Sequence, residues 1–170
     1  GQERIPVIRD GDNVVSDSWD IAEYLERQYP DKPSLFGGGV GHGLARFLNV
    51  WTDRVMHLAL IKLVIADILA HVDEADRDYF IESRTARLGK PPEEIQTRSE
   101  DDVRAFIHVV STVKAALGSN NFLAGSAPAY GDYILFGAFA WSRSISDFQL
   151  LKTDDPVYAW RERMLDLFNG

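Results

Sequence analysis

Residues 4–36 read RIPVIRDGDNVVSDSWDIAEYLERQYPDKPSLF, and the order of signals in this stretch decides the fold. Ile5 to Ile8 and Asn13 to Ser16 are two short β-prone runs. The Asp10-Gly11-Asp12 turn between them marks a β-hairpin. From Ser18 the period changes: Ile21, Ala22, Leu25 and Tyr29 recur at helical spacing, Asp17 or Ser18 can cap the start, and Pro30 ends the run. A strand, strand, helix unit of this size cannot bury enough apolar surface to stand alone, so it must pack on other residues.

Outward from this unit, Asp31 to Gly43 holds Pro33 and Gly37-Gly38-Gly39 and reads as a surface linker, with the domain boundary inside it. Everything beyond is helical by period. Leu44, Phe47, Leu48, Trp51, Val55, Leu58 and Ala59 form one stripe that continues through Ile65 and Leu69. A charged segment with Tyr79 and Phe80 follows, and Asp73 to Asp78 reads as a solvated face. Val103, Ile107, Val110, Val113 and Leu117 predict a second amphipathic helix that ends at Gly118. The helix expected from about Tyr130 to Phe148 is apolar almost all round at its start and should be the core. Val157, Trp160, Met164, Leu165 and Phe168 predict a last helix behind Asp154, Asp155 and Pro156.

Composition narrows the function. The chain of 170 residues carries a net charge of -8, which opposes a nucleic-acid partner, because that interaction needs a basic footprint. It has no cysteine, so disulfides, thiolate zinc sites and cysteine nucleophiles are excluded within these residues. No apolar run reaches the length of a membrane helix or resembles a signal peptide, and a cytoplasmic protein is expected. His42, His57, His71 and His108 show no metal-ligand pairing, and no metal is expected; packing or surface roles are the simpler reading of each.

Two local features can hold a ligand. A proline just inside a strand is either an edge-strand residue or part of a cis peptide, which would turn the Ile5 backbone N–H and C=O outward to pair with an extended peptide. Ser16-Asp17-Ser18 at a helix start offers N–H groups to a carboxylate and an acidic side chain to an ammonium; plain capping is the alternative. Trp19 follows the pair and suits either ligand proximity or a domain interface, whereas Trp51, Trp141 and Trp160 fall on core stripes.

In this order, residues 4–36 resemble the second half of the thioredoxin-like domain of cytosolic glutathione transferases, from the cis-proline strand to the interdomain linker. FLAGSAPAYGDYILFGAF at 122–139 is similar to that family's LxGxxPTxADxxLF segment leading into its central helix. The resemblance implies a mostly α fold: the C-terminal half of a thioredoxin-like domain (β-β-α) in residues 1–36, a linker at 37–43, and an all-α domain over 44–170. It implies that Ile5 offers its backbone to the cysteinyl part of glutathione, that Pro6 holds the cis bend, and that Asp17 and Ser18 hold the γ-glutamyl amine and carboxylate. Asp132 matches the family's capping-box aspartate, but the usual Ser or Thr partner is Ala129, so half of the reciprocal cap is missing. The family's β-α-β unit, which carries the residue that activates the glutathione sulfur, has no counterpart here, so no catalytic residue is named; the sequence either omits that segment or is a truncated relative.

Within the family, SDSWDIAEYLERQYPD, DRDYFIESRTARLGK and DDPVYAWRERMLDLFNG look most like the branch of bacterial β-aryl-ether-cleaving enzymes and fungal etherase-related transferases. That resemblance implies glutathione as co-substrate, an aromatic ether as electrophile and a homodimer. Arg54, His57 and Ile61, beside the apolar face of the long helix, would border the electrophile pocket. A non-catalytic carrier of hydrophobic ligands and a dimerising scaffold are the alternatives on the same fold.

Overall fold

The computed structural model describes residues 5–167; Arg4 and Phe168, which belong to the expected motif and the last stripe, lie outside them. The chain divides into two compact units, residues 1–46 and 47–170.

The first unit opens with strands β1 (Val7–Asp10) and β2 (Asn13–Ser16), paired antiparallel with Val7 opposite Ser16 and Asp10 opposite Asn13. Gly11, at φ 59°, takes the left-handed position of the two-residue turn. Helix α1 (Ser18–Gln28) follows, and Trp19 and Ala22 are its buried residues. The Tyr24 and Tyr29 hydroxyls donate to Asp10 Oδ2 at 2.9 and 2.6 Å, tying the helix to the hairpin. These bonds hold the Asp10 carboxyl below its usual range, the Tyr29 bond contributing most. Glu26 accepts from the Leu35 N–H at 2.8 Å and from the Ser34 hydroxyl, which lays the proline-containing segment along α1.

The expected linker is partly helical. Helix α2 (Gly39–Trp51) starts five residues ahead of Leu44, so the glycine-rich segment supplies its first turn. Gly41 is required there, since a Cβ would stand 1.7 Å from the Phe36 carbonyl oxygen.

From α2 the backbone passes through one π turn (Thr52–Met56) into α3 (His57–Val64) and a 3-10 turn (Ile65–Ala70). The expected stripe is displaced by one residue. Ala45, Asn49, Thr52, Met56 and Leu60 are buried, whereas Leu44, Phe47, Val55 and Leu58 are exposed. Two polar residues on the inner face, Asn49 and Thr52, are what misdirect the hydrophobic pattern.

Helix α4 (Glu74–Leu88) carries the charged segment and ends at Gly89 in the left-handed conformation. The short α5 (Pro92–Ile95) precedes α6 (Glu100–Leu117), whose buried face is Phe106, Val110, Val113 and Leu117. Ile107, expected inside, is 54% exposed, because the larger Phe106 beside it points to the core instead. Helix α7 (Tyr130–Ile145) is the central one, with Leu135, Ala138 and Phe139 buried, and α8 (Pro156–Asp166) closes the bundle with Val157, Trp160 and Met164. These residues join Met56, Leu60, Leu63 and Val64 in one core.

Asp132 is buried on α7 and accepts from the N–H groups of Leu123 at 2.7 Å, Ala124 at 3.2 Å and Ala129 at 3.2 Å, and from Trp160 Nε1 at 2.9 Å. Ala129 has no side-chain acceptor, so the cap runs one way only. The start of α6 has the other half of the device: Ser99 Oγ accepts from the Asp102 N–H at 3.2 Å, and the Asp102 carboxylate accepts from the Ser99 and Thr97 hydroxyls, not from the Ser99 N–H, and pairs with Lys62 of α3 at 3.2 Å. The Thr97 and Ser99 bonds, followed by Lys62, bring the Asp102 pKa from 3.8 down to about 2. A carboxyl depressed on folding stabilises the native state above its unfolded pKa, and that contribution is lost as pH falls through the folded value. The stability advantage of the native protein over Asp102→Asn should therefore be constant above about pH 4 and shrink between about pH 4 and 2, as urea melts across that range will show.

Candidate functional site

In the first unit the structure joins the two features that the sequence offers to a ligand. The Ile5–Pro6 peptide is cis, and the Pro6 carbonyl accepts the Asp17 N–H at 3.2 Å. This bond sets the beginning of β1 against the beginning of α1. Ile5 is 93% exposed, which leaves its side of the hairpin open to a partner.

Asp17 caps α1: its Oδ1 accepts from the Trp19 N–H at 2.9 Å and more weakly from the Asp20 N–H at 3.5 Å. The same residue stands at φ 76°, ψ 133°, a region that non-glycine residues occupy at a cost of about 1–3 kcal/mol. A single residue that both caps a helix and holds a disfavoured backbone is over-determined by its surroundings, a pattern typical of ligand sites. Ser18 occupies the first helical position, half-buried, with its hydroxyl at the positive end of the helix.

Behind Asp17 and Ser18 stands a group the sequence did not reveal. Trp19 Nε1 donates to Glu23 Oε1 at 2.9 Å, and His42 Nε2 lies 3.0 Å from the same oxygen. The His42 bond, then the Trp19 bond, hold the Glu23 carboxyl below its usual range. The rings of Trp19, Phe36 and His42 meet pairwise with centroids 5.3, 5.1 and 4.9 Å apart, and the Arg46 guanidinium covers Trp19 at 4.7 Å. The i, i+4 spacing of Trp19 and Glu23 was visible in the sequence. His42 and Arg46 were not, since they reach the cluster through the turn that Gly41 permits.

In the second unit the expected pocket residues lie along one helical run. Arg54 is exposed on the π turn, His57 opens α3 half-buried, and Ile61 packs against Ile65, Leu69 and Phe80. His57 Nδ1 stands 3.4 Å from Asp53 Oδ1, and its ring lies perpendicular to that of Trp141 with centroids 6.3 Å apart. Burial pushes the imidazole pKa down against the pull of Asp53, and Arg87 lowers it further. The sequence reading missed this i, i+4 carboxylate partner of His57. Among the described residues no group of three or more His, Cys, Asp or Glu is placed to hold a metal, and no helix is long and apolar enough to cross a membrane.

A half thioredoxin-like unit with a cis-proline strand and a capped, strained helix start, followed by an all-helical unit, defines the glutathione-transferase architecture. Residues 43–161 match the glutathione S-transferase C-terminal domain and residues 1–33 the N-terminal domain, so the chain belongs to the glutathione S-transferase family. It is 30% identical to the glutathione S-transferase-like protein ustS of Aspergillus flavus over 92% of this chain and 56% of that protein. The chain thus spans little more than half the length of that curated relative. The crystal structure of glutathione transferase GSTFuA3 from Phanerochaete chrysosporium superposes with a TM-score of 0.74 at 28% identity, covering 99% of this chain and 66% of that one. The β-etherase LigF from Sphingobium sp. strain SYK-6 shares the fold at a TM-score of 0.64 and 20% identity, over 95% of this chain and 73% of LigF.

The strain at Asp17 sets a sign. Asp17→Ala loses the cap, worth about 1 kcal/mol, and keeps a Cβ in the disfavoured region. Asp17→Gly also loses the side-chain acceptor but relieves the backbone, partly offset by the greater freedom of glycine in the unfolded chain. Asp17→Gly should be the more stable of the two by about 1–2 kcal/mol in urea denaturation, although neither retains the carboxylate.

Proposed function

We propose that this chain binds glutathione at the hairpin and helix start of its first unit and directs the glutathione thiolate onto an aromatic electrophile. The observation that carries the reading is the Pro6–Asp17 hydrogen bond, which sets the exposed Ile5–Pro6 segment beside the N-terminus of α1. The Ile5 N–H and C=O take the cysteinyl part as a neighbouring strand would, the α1 N-terminus with Ser18 takes the γ-glutamyl carboxylate, and Asp17 takes the amine. In this division, residues 1–36 serve the tripeptide, 37–43 connect, and 44–170 serve the electrophile, with Arg54, His57 and Ile61 bordering its pocket.

For a β-aryl ether the thiolate attacks the carbon that bears the aryloxy group. The C–S bond forms as the C–O bond breaks, and the phenoxide leaves with the electron pair and then takes a proton. This finer assignment rests on sequence likeness within the family and on the fold shared with LigF. Ser18→Ala should weaken glutathione binding about tenfold or more in a calorimetric titration, as expected for loss of a hydrogen bond to a charged group; unchanged affinity would remove the site assignment.

The exposed side of α2 supports a homodimer. Phe47 is 67% exposed at the rim of a nearly all-apolar recess of about 360 Å³ lined with Trp51, Ala116, Leu123 and Leu135. Sedimentation should give a dimer for the native chain and a monomer for Phe47→Glu. A native monomer at all concentrations would exclude this part of the reading.

A further inference from the structure

The second unit contains a polar chain that the family assignment does not explain. The buried Tyr130 hydroxyl on α7 donates to Asn49 Oδ1 at 2.6 Å. The buried Asn49 amide then donates from Nδ2 to Asp53 Oδ2 at 3.0 Å, and the other oxygen of Asp53 faces His57 Nδ1 at 3.4 Å. Asn49, Asp53 and His57 are spaced four residues apart along one run, and the single π turn of that run, Thr52–Met56, lies in their midst.

The chain has a direction. Because the Tyr130 hydroxyl occupies the Asn49 carbonyl oxygen, Asn49 presents its NH₂ to Asp53, which leaves the carboxylate an acceptor toward His57. An acceptor at Nδ1 favours the tautomer with the proton on that nitrogen, and Nε2 then carries a lone pair. Burial lowers the pKa of the ring more than Asp53 raises it. Nε2 has no hydrogen-bond partner among the described residues, and 34% of the side chain is exposed. Trp141 stands beside the ring, perpendicular to it. In the same π turn the Thr52 hydroxyl is buried with no partner, so the helix carries a further unsettled polar atom next to the chain.

We propose that Tyr130, Asn49 and Asp53 are positioning residues that fix His57 as a hydrogen-bond acceptor, and that its Nε2 selects aromatic ligands bearing a hydroxyl group over their alkyl ethers. This rests on assigning the electrophile pocket to the His57 face, and it names the substrate class which that pocket prefers. Trp141 supplies the aromatic surface and His57 the polar contact that orients the ring.

Two measurements on the full chain test it. Heteronuclear NMR of the imidazole nitrogens should show the His57 proton on Nδ1 in the native protein and a shift toward Nε2 in Asp53→Asn, which a merely packed histidine would not produce. Calorimetric titration with naphthol and with methoxynaphthalene should give the hydroxyl compound an advantage of about fivefold to tenfold, lost in His57→Phe and reduced in Asp53→Asn. A native His57 proton on Nε2, equal affinities of the two probes, or a preference that survives in His57→Phe would overturn the proposal. Glutathione titration of the same variants separates it from the site in the first unit: unchanged affinity there with a lost naphthol preference supports the assignment to His57. Failure of glutathione to bind while the preference persists would remove the transferase reading and leave the acceptor standing.

Discussion

The carboxylate of Asp132 accepts four hydrogen bonds in a place from which solvent is excluded. Burying such a group without partners costs several kcal/mol; with four donors the cost is met by charge-assisted bonds of about 1.5–3 kcal/mol each. The donors come from the turn before α7, from the first residue outside α7 and from the indole of α8, so one side chain fixes the entry angle of the central helix and the closing helix together. With Ala129 at the cap, no hydroxyl shares this task. The packing of Leu135, Phe139 and Trp160, and so the shape of the second unit, follows from where that carboxylate sits.

The first unit solves a different problem. A two-stranded hairpin and one helix have little core, and their geometry is fixed by polar contacts instead: two tyrosine hydroxyls on Asp10, Glu26 on the following segment, and the Pro6 carbonyl on the Asp17 N–H. Directional bonds hold a backbone in a disfavoured conformation better than apolar contact does, which lets Asp17 persist at a positive φ. Glu23 plays the matching part behind the helix start, since one carboxylate oxygen restrains both the Trp19 indole and the His42 ring.

Much of this was legible in the chain. The hairpin, α1, α6, α7 and α8 stand where turn chemistry and period put them, because most local signals agree there; the cap that α7 lacks at Ala129 and the outward Ile107 of α6 do not move the elements. The inner face of α2 and α3 was read one residue off, since Asn49 and Thr52 sit where a hydrophobic pattern expects carbon, and Asn49 is there for its bond to Tyr130, 81 positions away. The mutual approach of Pro6 and Asp17 was foreseen only through family resemblance; local sequence left both an edge proline and a simple cap open. The Trp19, Phe36 and His42 cluster escaped notice because ring contacts between residues 19 and 42 depend on the path of the chain past Phe36, which only Gly41 allows. The Asp53–His57 pair has the i, i+4 spacing of a helical ion pair, a signal distinct from the metal-ligand spacing that the histidines lack.

The environments of the tryptophans give the two units separate optical signatures. Trp19, the only tryptophan of the first unit, is buried under the Arg46 guanidinium and against the His42 ring, an imidazole able to quench its emission. Trp160 is sealed in the second unit with its indole N–H on a carboxylate, and Trp141 touches His57. Loosening the first unit releases Trp19 from the imidazole and brightens it, whereas loosening the second exposes Trp160 to water and moves its emission to longer wavelength. A gain in brightness thus marks the opening of the first unit.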